Sequence, residues 1–196
     1  ADQFGLSDKS GVEISESAPK VSDFDAIRSA IGQGTNNYST VGLARYVTTV
    51  ANSGNCYNLS LLSKATDADG NLIADYTPTL RNTVDLKQST WDAIHQGMRK
   101  VVEDKDYYKD LTIQVAGKTG TAQENRKRAN HALFVCYAPY EQPQIAIATR
   151  IAFGYASDYA AQVTKDIVKY YFKLEDESSL ITGTAESTNV VQSAGD

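Results

Sequence analysis

Cysteine is nearly missing: Cys56 and Cys136 are the only two in 196 residues. Two are too few for a disulfide framework, and they lack metal-ligand spacing. Methionine occurs once, at Met98, and the chain opens on Ala1, as expected of a piece cut from something longer. No apolar run is long enough to span a bilayer, and there is no signal-peptide pattern. Basic residues are outnumbered, 19 against 24 acidic, for a net charge of -5. The one basic cluster, Arg126-Lys127-Arg128, is too short to make a nucleic-acid footprint against that balance. No internal repeat is visible. What remains is an ordinary apolar fraction and a length that can bury a core, so one domain or most of one.

Along the chain, Phe4-Gly5-Leu6 is an apolar entry, followed by a polar turn and a strand-like exit at Val12-Glu13-Ile14. Residues 15–25 read as loop, and Gly32-Gln33-Gly34 as a tight turn. Ser39 or Thr40 caps a helix with Leu43, Ala44, Val47, Val50 and Ala51 on one face, and Asn52-Ser53-Gly54-Asn55 stops it. Runs at 59–64 and 72–76 flank Asp67-Ala68-Asp69-Gly70-Asn71, a hairpin signal. A second helix spans about 88–102, with Trp91, Ile94, Met98 and Val101 as its buried stripe and His95 on the flank. Three strands follow, at about 113–123, 131–139 and 145–152, in an antiparallel meander. A last helix spans 157–172. Beyond Lys173 the composition turns to Glu, Asp, Ser, Thr and Gly without period, and 173–196 is expected to be a disordered tail.

The central stretch is Val115-Ala116-Gly117-Lys118-Thr119-Gly120-Thr121-Ala122-Gln123. Thr112, Ile113 and Val115 favour a strand. Gly117 and Gly120 leave the backbone unshielded, and Lys118 stands between them beside two hydroxyls. A cation, hydroxyl donors and open N–H groups together suit an anion such as a carboxylate. Gly117-Lys118-Thr119 also looks like the end of a phosphate-binding loop. That motif requires a further glycine where Thr112 stands and a helix directly afterwards, and neither is present. The alternative is the Lys-Thr-Gly element of penicillin-recognising serine enzymes.

Several further motifs occur in order: Phe4-Gly5-Leu6 with Lys9-Ser10-Gly11-Val12, Gly32-Gln33-Gly34, Leu43-Ala44-Arg45-Tyr46 with Ala51-Asn52, Gly97-Met98 with Val101-Val102, and Ala138-Pro139. With Gly117 to Gln123 they make the chain resemble the C-terminal part of the transpeptidase domain of class B penicillin-binding proteins, over residues 1–172. The resemblance implies an α/β (α+β) fold of the transpeptidase/β-lactamase type, an antiparallel sheet flanked by helices, here incomplete. It implies no cofactor and no metal. Implied partners are the peptidoglycan stem peptide and, for the complete domain, β-lactam antibiotics. The implied location is the outer face of the cell membrane, through an N-terminal anchor missing from this stretch.

Carried onto these residues, the resemblance makes Lys118 part of the nucleophile's proton network and the Thr121 N–H one arm of an oxyanion hole. Thr119 and Thr121 bind the substrate's terminal carboxylate, Gly120 lets the substrate lie along the strand, and Gln123 touches the stem peptide. Strict alternation puts Lys118 and Gly120 on one face and both threonines on the other, so a twisted strand edging the cleft is required. The family's Ser-x-x-Lys nucleophile and Ser-x-Asn element are expected upstream of Phe4 and are absent. Ser17-Ala18-Pro19-Lys20, Ser53-Gly54-Asn55 and Ser187-Thr188-Asn189 imitate them, but the first lacks an apolar helix, the second is a helix stop and the third lies in the tail. The expected function is therefore a D,D-transpeptidase piece, inactive alone, with an apolar groove beside Lys118 where the nucleophile's helix is missing. The alternatives are a small β-lactamase or D,D-carboxypeptidase using Ser17, and a non-catalytic wall-peptide-binding domain.

Overall fold

The structure, a computed structural model, describes residues 1–22, 26–124 and 127–181. After a 3-10 turn at Asp2–Phe4 come α1 (Ala26–Ala30), α2 (Thr40–Ala51), β1 (Asn55–Tyr57), β2 (Lys64–Thr66), β3 (Leu72–Asp75) and β4 (Leu80–Thr83). Then follow α3 (Gln88–Glu103), a 3-10 turn at Asp106–Tyr108, β5 (Ala116–Ala122), β6 (His131–Ala138), β7 (Ile145–Ile151), α4 (Ser157–Tyr171) and α5 (Glu177–Leu180).

The expected meander is present. Strands β5, β6 and β7 pair antiparallel in that order, from Ala116↔Tyr137 to Ala122↔His131 and from Ala132↔Ile151 to Ala138↔Ile145. The two-residue period of a strand sorts β6 between two cores. Ala132, Phe134, Cys136 and Ala138 pack with Val102 of α3 and with Ala160, Ala161 and Val168 of α4. Val135 and Tyr137 belong to the second cluster, with Ala116, Val47 of α2 and Met98 of α3. Because helices cover both faces, β6 reads as a continuous apolar run and not as an alternating one. Burial also pushes the Cys136 thiol well above its ordinary range, so it stays a neutral core side chain.

Helix α2 begins where expected: the Ser39 Oγ accepts the Gly42 N–H at 3.1 Å. Its stop is a pair of left-handed residues, Ser53 (φ 58) and Gly54 (φ 114). The Gly54 N–H returns to the Thr49 carbonyl at 2.8 Å. Its inward face differs from the expected one. Leu43, Ala44 and Ala51 are only half-buried, while Arg45 and Thr49 are fully buried. The Arg45 guanidinium is gripped by the N-terminal strap, donating to the carbonyls of Gly5, Lys9 (2.9 Å) and Asp8 (2.8 Å) and to the Asp8 carboxylate at 2.9 Å. A Cβ on Gly5 would stand 2.5 Å from Arg45 Nε, which together with φ +72 explains the glycine there. This strap then seats Phe4 between Tyr46 and Trp91.

Other boundaries moved for local reasons. Residues 12–14 form no strand; Glu13 instead accepts from Ser60 Oγ and Leu61 N–H, which holds its carboxyl below the ordinary range. The hairpin's first arm is Lys64–Thr66 and not 59–64, because the Asp67 side chain closes the turn on the N–H groups of Asp69 and Asn71. Strand β5 begins at Ala116, since the Gln114 carbonyl is taken by the Tyr140 N–H. The two-stranded ribbon β1–β4 was not anticipated. Of the expected tail, Lys173 to Ile181 carries the helical turn α5, and residues 182–196 lie outside the described ones.

Candidate active site

Among the described residues, strand β5 is an edge strand, paired with β6 alone. Along its free edge the carbonyls that find other partners are all on odd-numbered residues. Arg99 Nη1 donates to Val115 O at 3.0 Å, Lys118 Nζ to Thr119 O at 2.8 Å, and Gln33 Nε2 to Thr121 O at 3.3 Å. In a strand the N–H and C=O of one residue leave on the same side. The N–H groups of Thr119 and Thr121 therefore point to the open edge as well. This resolves the alternation problem: the Lys118 and threonine side chains leave opposite faces, but a ligand lying on the edge meets the backbone from one side and both faces at its rims.

The five residues expected at the site are brought together on this edge or just beyond it. Lys118 and Thr121 are exposed, Thr119 and Gly120 half-buried, and Gln123, one residue past the strand, exposed. The two glycines differ in kind. A Cβ on Gly117 would meet Phe134 Cζ at 2.5 Å and Val135 O at 2.9 Å, so this glycine serves core packing. At Gly120 the nearest atom would be 3.4 Å away, which an alanine tolerates, so packing gives no reason for that glycine. On the Lys118 face, past the end covered by α2, Leu133 and Val135 are half-exposed and Arg150 exposed. The apolar groove expected beside Lys118 is reduced here to these two half-buried side chains next to a charged one.

Sequence reasoning overlooked two contributors. Gln33, read only as a turn residue, reaches Thr121 and lines a cleft with Arg28, Gly34, Gln123, Glu124 and Asn130. His131, read only as the start of a strand, bonds Glu124 at the exit of β5. His95 was expected to be structural, and it is: its Nε2 donates to Val50 O at 2.8 Å, tying α3 to α2.

The imitation motifs do not assemble here. Ser17 to Lys20 forms no helix, and Lys20 instead bridges to Asn37, so Ser17 and Lys20 share no helical face. Ser53 to Asn55 is the α2 stop, and Ser187 to Asn189 lies outside the described residues. No helix starts at Lys118, which excludes the phosphate-loop reading.

Residues 1–170 match the family model described as the penicillin binding protein transpeptidase domain. The chain belongs to that family. Among relatives of the penicillin-binding protein transpeptidase family, it is 27% identical to penicillin-binding protein 2B of Streptococcus pneumoniae strain R6, an alignment covering 87% of this chain and 28% of that protein. It is 30% identical to the peptidoglycan D,D-transpeptidase MrdA of Haemophilus influenzae, covering 75% of this chain and 26% of that one. The solved pneumococcal 2B protein superposes with a TM-score of 0.76 at 26% identity, over 89% of this chain and 32% of that one. Penicillin-binding protein A of M. tuberculosis, solved as an imipenem acyl-enzyme, shares the fold with a TM-score of 0.78 at 20% identity, over 87% and 40%. The chain thus spans under a third of the length of the curated relatives named here. The fold is the α+β fold of penicillin-binding transpeptidase domains, present in part.

Proposed function

We propose that this chain supplies the Lys-Thr-Gly wall of a peptidoglycan D,D-transpeptidase site, whose serine nucleophile comes from sequence upstream of Ala1. The observation that carries this reading is the free edge of β5, where two outward N–H groups, an exposed ammonium and two threonine hydroxyls lie within four residues. An extended stem peptide adds to that edge as a further strand. The Thr121 N–H stabilises the oxyanion formed when the serine attacks the penultimate carbonyl, and the hydroxyls of Thr119 and Thr121 bind the terminal carboxylate. Gln123 contacts the peptide beyond it. Lys118 holds the charge balance of the proton network as the acyl bond forms and the terminal D-Ala leaves. β-Lactams acylate the same serine because they present a carboxylate and a carbonyl at similar spacing. The parent protein acts on the outer face of the membrane, anchored by a segment outside this chain; no described helix is long and apolar enough to cross one.

The test is competition in a protein extended upstream. A stem peptide ending in D-Ala-D-Ala should slow acylation by labelled penicillin, and its C-terminal amide should compete at least about tenfold more weakly, one charge-assisted hydrogen bond being worth roughly 1.5–3 kcal/mol. In the Thr119→Val/Thr121→Val double variant that preference should vanish. Equal competition by acid and amide in the unsubstituted protein contradicts the carboxylate assignment.

A further inference from the structure

Outside the Lys-Thr-Gly residues, one cluster of titratable groups sits against the candidate site. His131 is 7% exposed and stands opposite Ala122, the last residue of β5. Its Nε2 lies 2.7 Å from Glu124 Oε2, and its Nδ1 lies 3.1 Å from the Phe153 N–H. A backbone N–H can only donate, so Nδ1 is the acceptor and the proton sits on Nε2, donated to Glu124. The ring also packs on Phe153 with centroids 4.8 Å apart, and Phe153 sits in a left-handed conformation (φ 54) that the bond to Nδ1 helps to hold. Arg150 lies 3.3 Å from Nδ1, and Arg128 stacks on the far ring at 5.2 Å. One buried imidazole therefore joins three elements: the exit of β5, the start of β6 and the turn between β7 and α4.

The location gives the cluster a consequence. Glu124 follows Gln123 directly, and both line the cleft closed on its other side by Gln33. Glu124 is itself exposed, and its carboxylate is fixed by a partner that is buried. We propose that His131 is a positioning residue for the acyl-transfer site: through its Nε2–H bond to Glu124 it sets where the chain leaves β5, and so the placement of Thr121 and Gln123 against the substrate. This rests on the proposed transpeptidase reading. The Nδ1 bond, by contrast, serves the fold, because it holds the turn between β7 and α4.

The two bonds are separable by substitution. Glutamine extends its amide about as far as Nε2 and keeps a donor for Glu124. Asparagine reaches only as far as Nδ1 and keeps an acceptor for Phe153. Acylation by labelled penicillin is measured in the protein extended upstream, with thermal melting alongside. In His131→Asn the acylation rate should fall by about tenfold to hundredfold, the scale of an ångström misplacement at a reacting site. His131→Gln should stay within about threefold of the parent although its melting temperature falls, and Glu124→Ala, which leaves the core untouched, should reproduce the His131→Asn loss. Loss of acylation that follows melting temperature across all three variants, or full activity in Glu124→Ala, overturns the proposal. A parent protein that does not acylate at all contradicts the transpeptidase reading itself, a separate outcome.

Discussion

Replacing Lys118 with alanine in the protein extended upstream should lower the acylation rate by penicillin about 10²- to 10⁴-fold, the usual span for a group that manages a proton in the transition state. The fold should be unaffected. Lys118 is exposed, and its one hydrogen bond among the described residues is to the carbonyl of the next residue. Lys118→Arg separates two contributions. Arginine keeps the positive charge but does not give up a proton. If Lys118 only attracts the substrate carboxylate, Arg restores most of the rate; if it serves the proton network, Arg stays within about tenfold of Ala. The second outcome is expected, read as second-order acylation constants at constant ionic strength. A Lys118→Ala protein that acylates within threefold of the parent removes Lys118 from the chemistry.

The largest stability effect should come from a residue far from that strand. Arg45→Met should cost about 3–5 kcal/mol, because each buried carbonyl left without its donor costs about 1–3 kcal/mol. The guanidinium is fully buried, and its removal strips donors from the carbonyls of Gly5, Asp8 and Lys9. Methionine fills much of the volume but satisfies none of them, so the loss is chiefly polar. Gly5→Ala attacks the same network from the other side, through a left-handed φ and a collision with Nε. It should cost about 2–4 kcal/mol, combining a backbone penalty with overpacking. Arg81→Ala is the control. Arg81 meets Asp2 and Asp8 near the surface, where such pairs contribute about 1 kcal/mol or less. Urea unfolding of the three variants checks the order. Similar losses for Arg45→Met and Arg81→Ala would show that burial of Arg45 does not matter.

Arg45 also shows where sequence reading stops. Helical spacing located α2 and its cap, because Ser39 and the Val47/Val50 pair carry local signals. An arginine, however, reads as a surface residue, and nothing nearby shows that a strap some forty positions earlier will bury it. His131 was hidden for the same reason. Its strand was legible from the apolar run that follows it, but its partners sit in two turns whose approach depends on how the sheet closes. The Lys-Thr-Gly edge was legible because it is continuous in sequence and because strand pairing alone decides which groups stay open. Gly117 and Gly120 looked equivalent in the sequence. Only the position of Phe134 separates the one required by packing from the one that packing leaves unexplained.

On the proposed reading, this chain carries the binding wall of an acyl-transfer site but not its nucleophile. Intact-mass spectrometry after incubation with a β-lactam tests it most directly, on this chain and on one extended upstream through the rest of the domain. The predicted result is no adduct on the short chain and one stoichiometric acyl adduct on the extended chain. A stoichiometric adduct on the short chain, at Ser17 or any other serine, or an extended chain that stays unmodified, contradicts it.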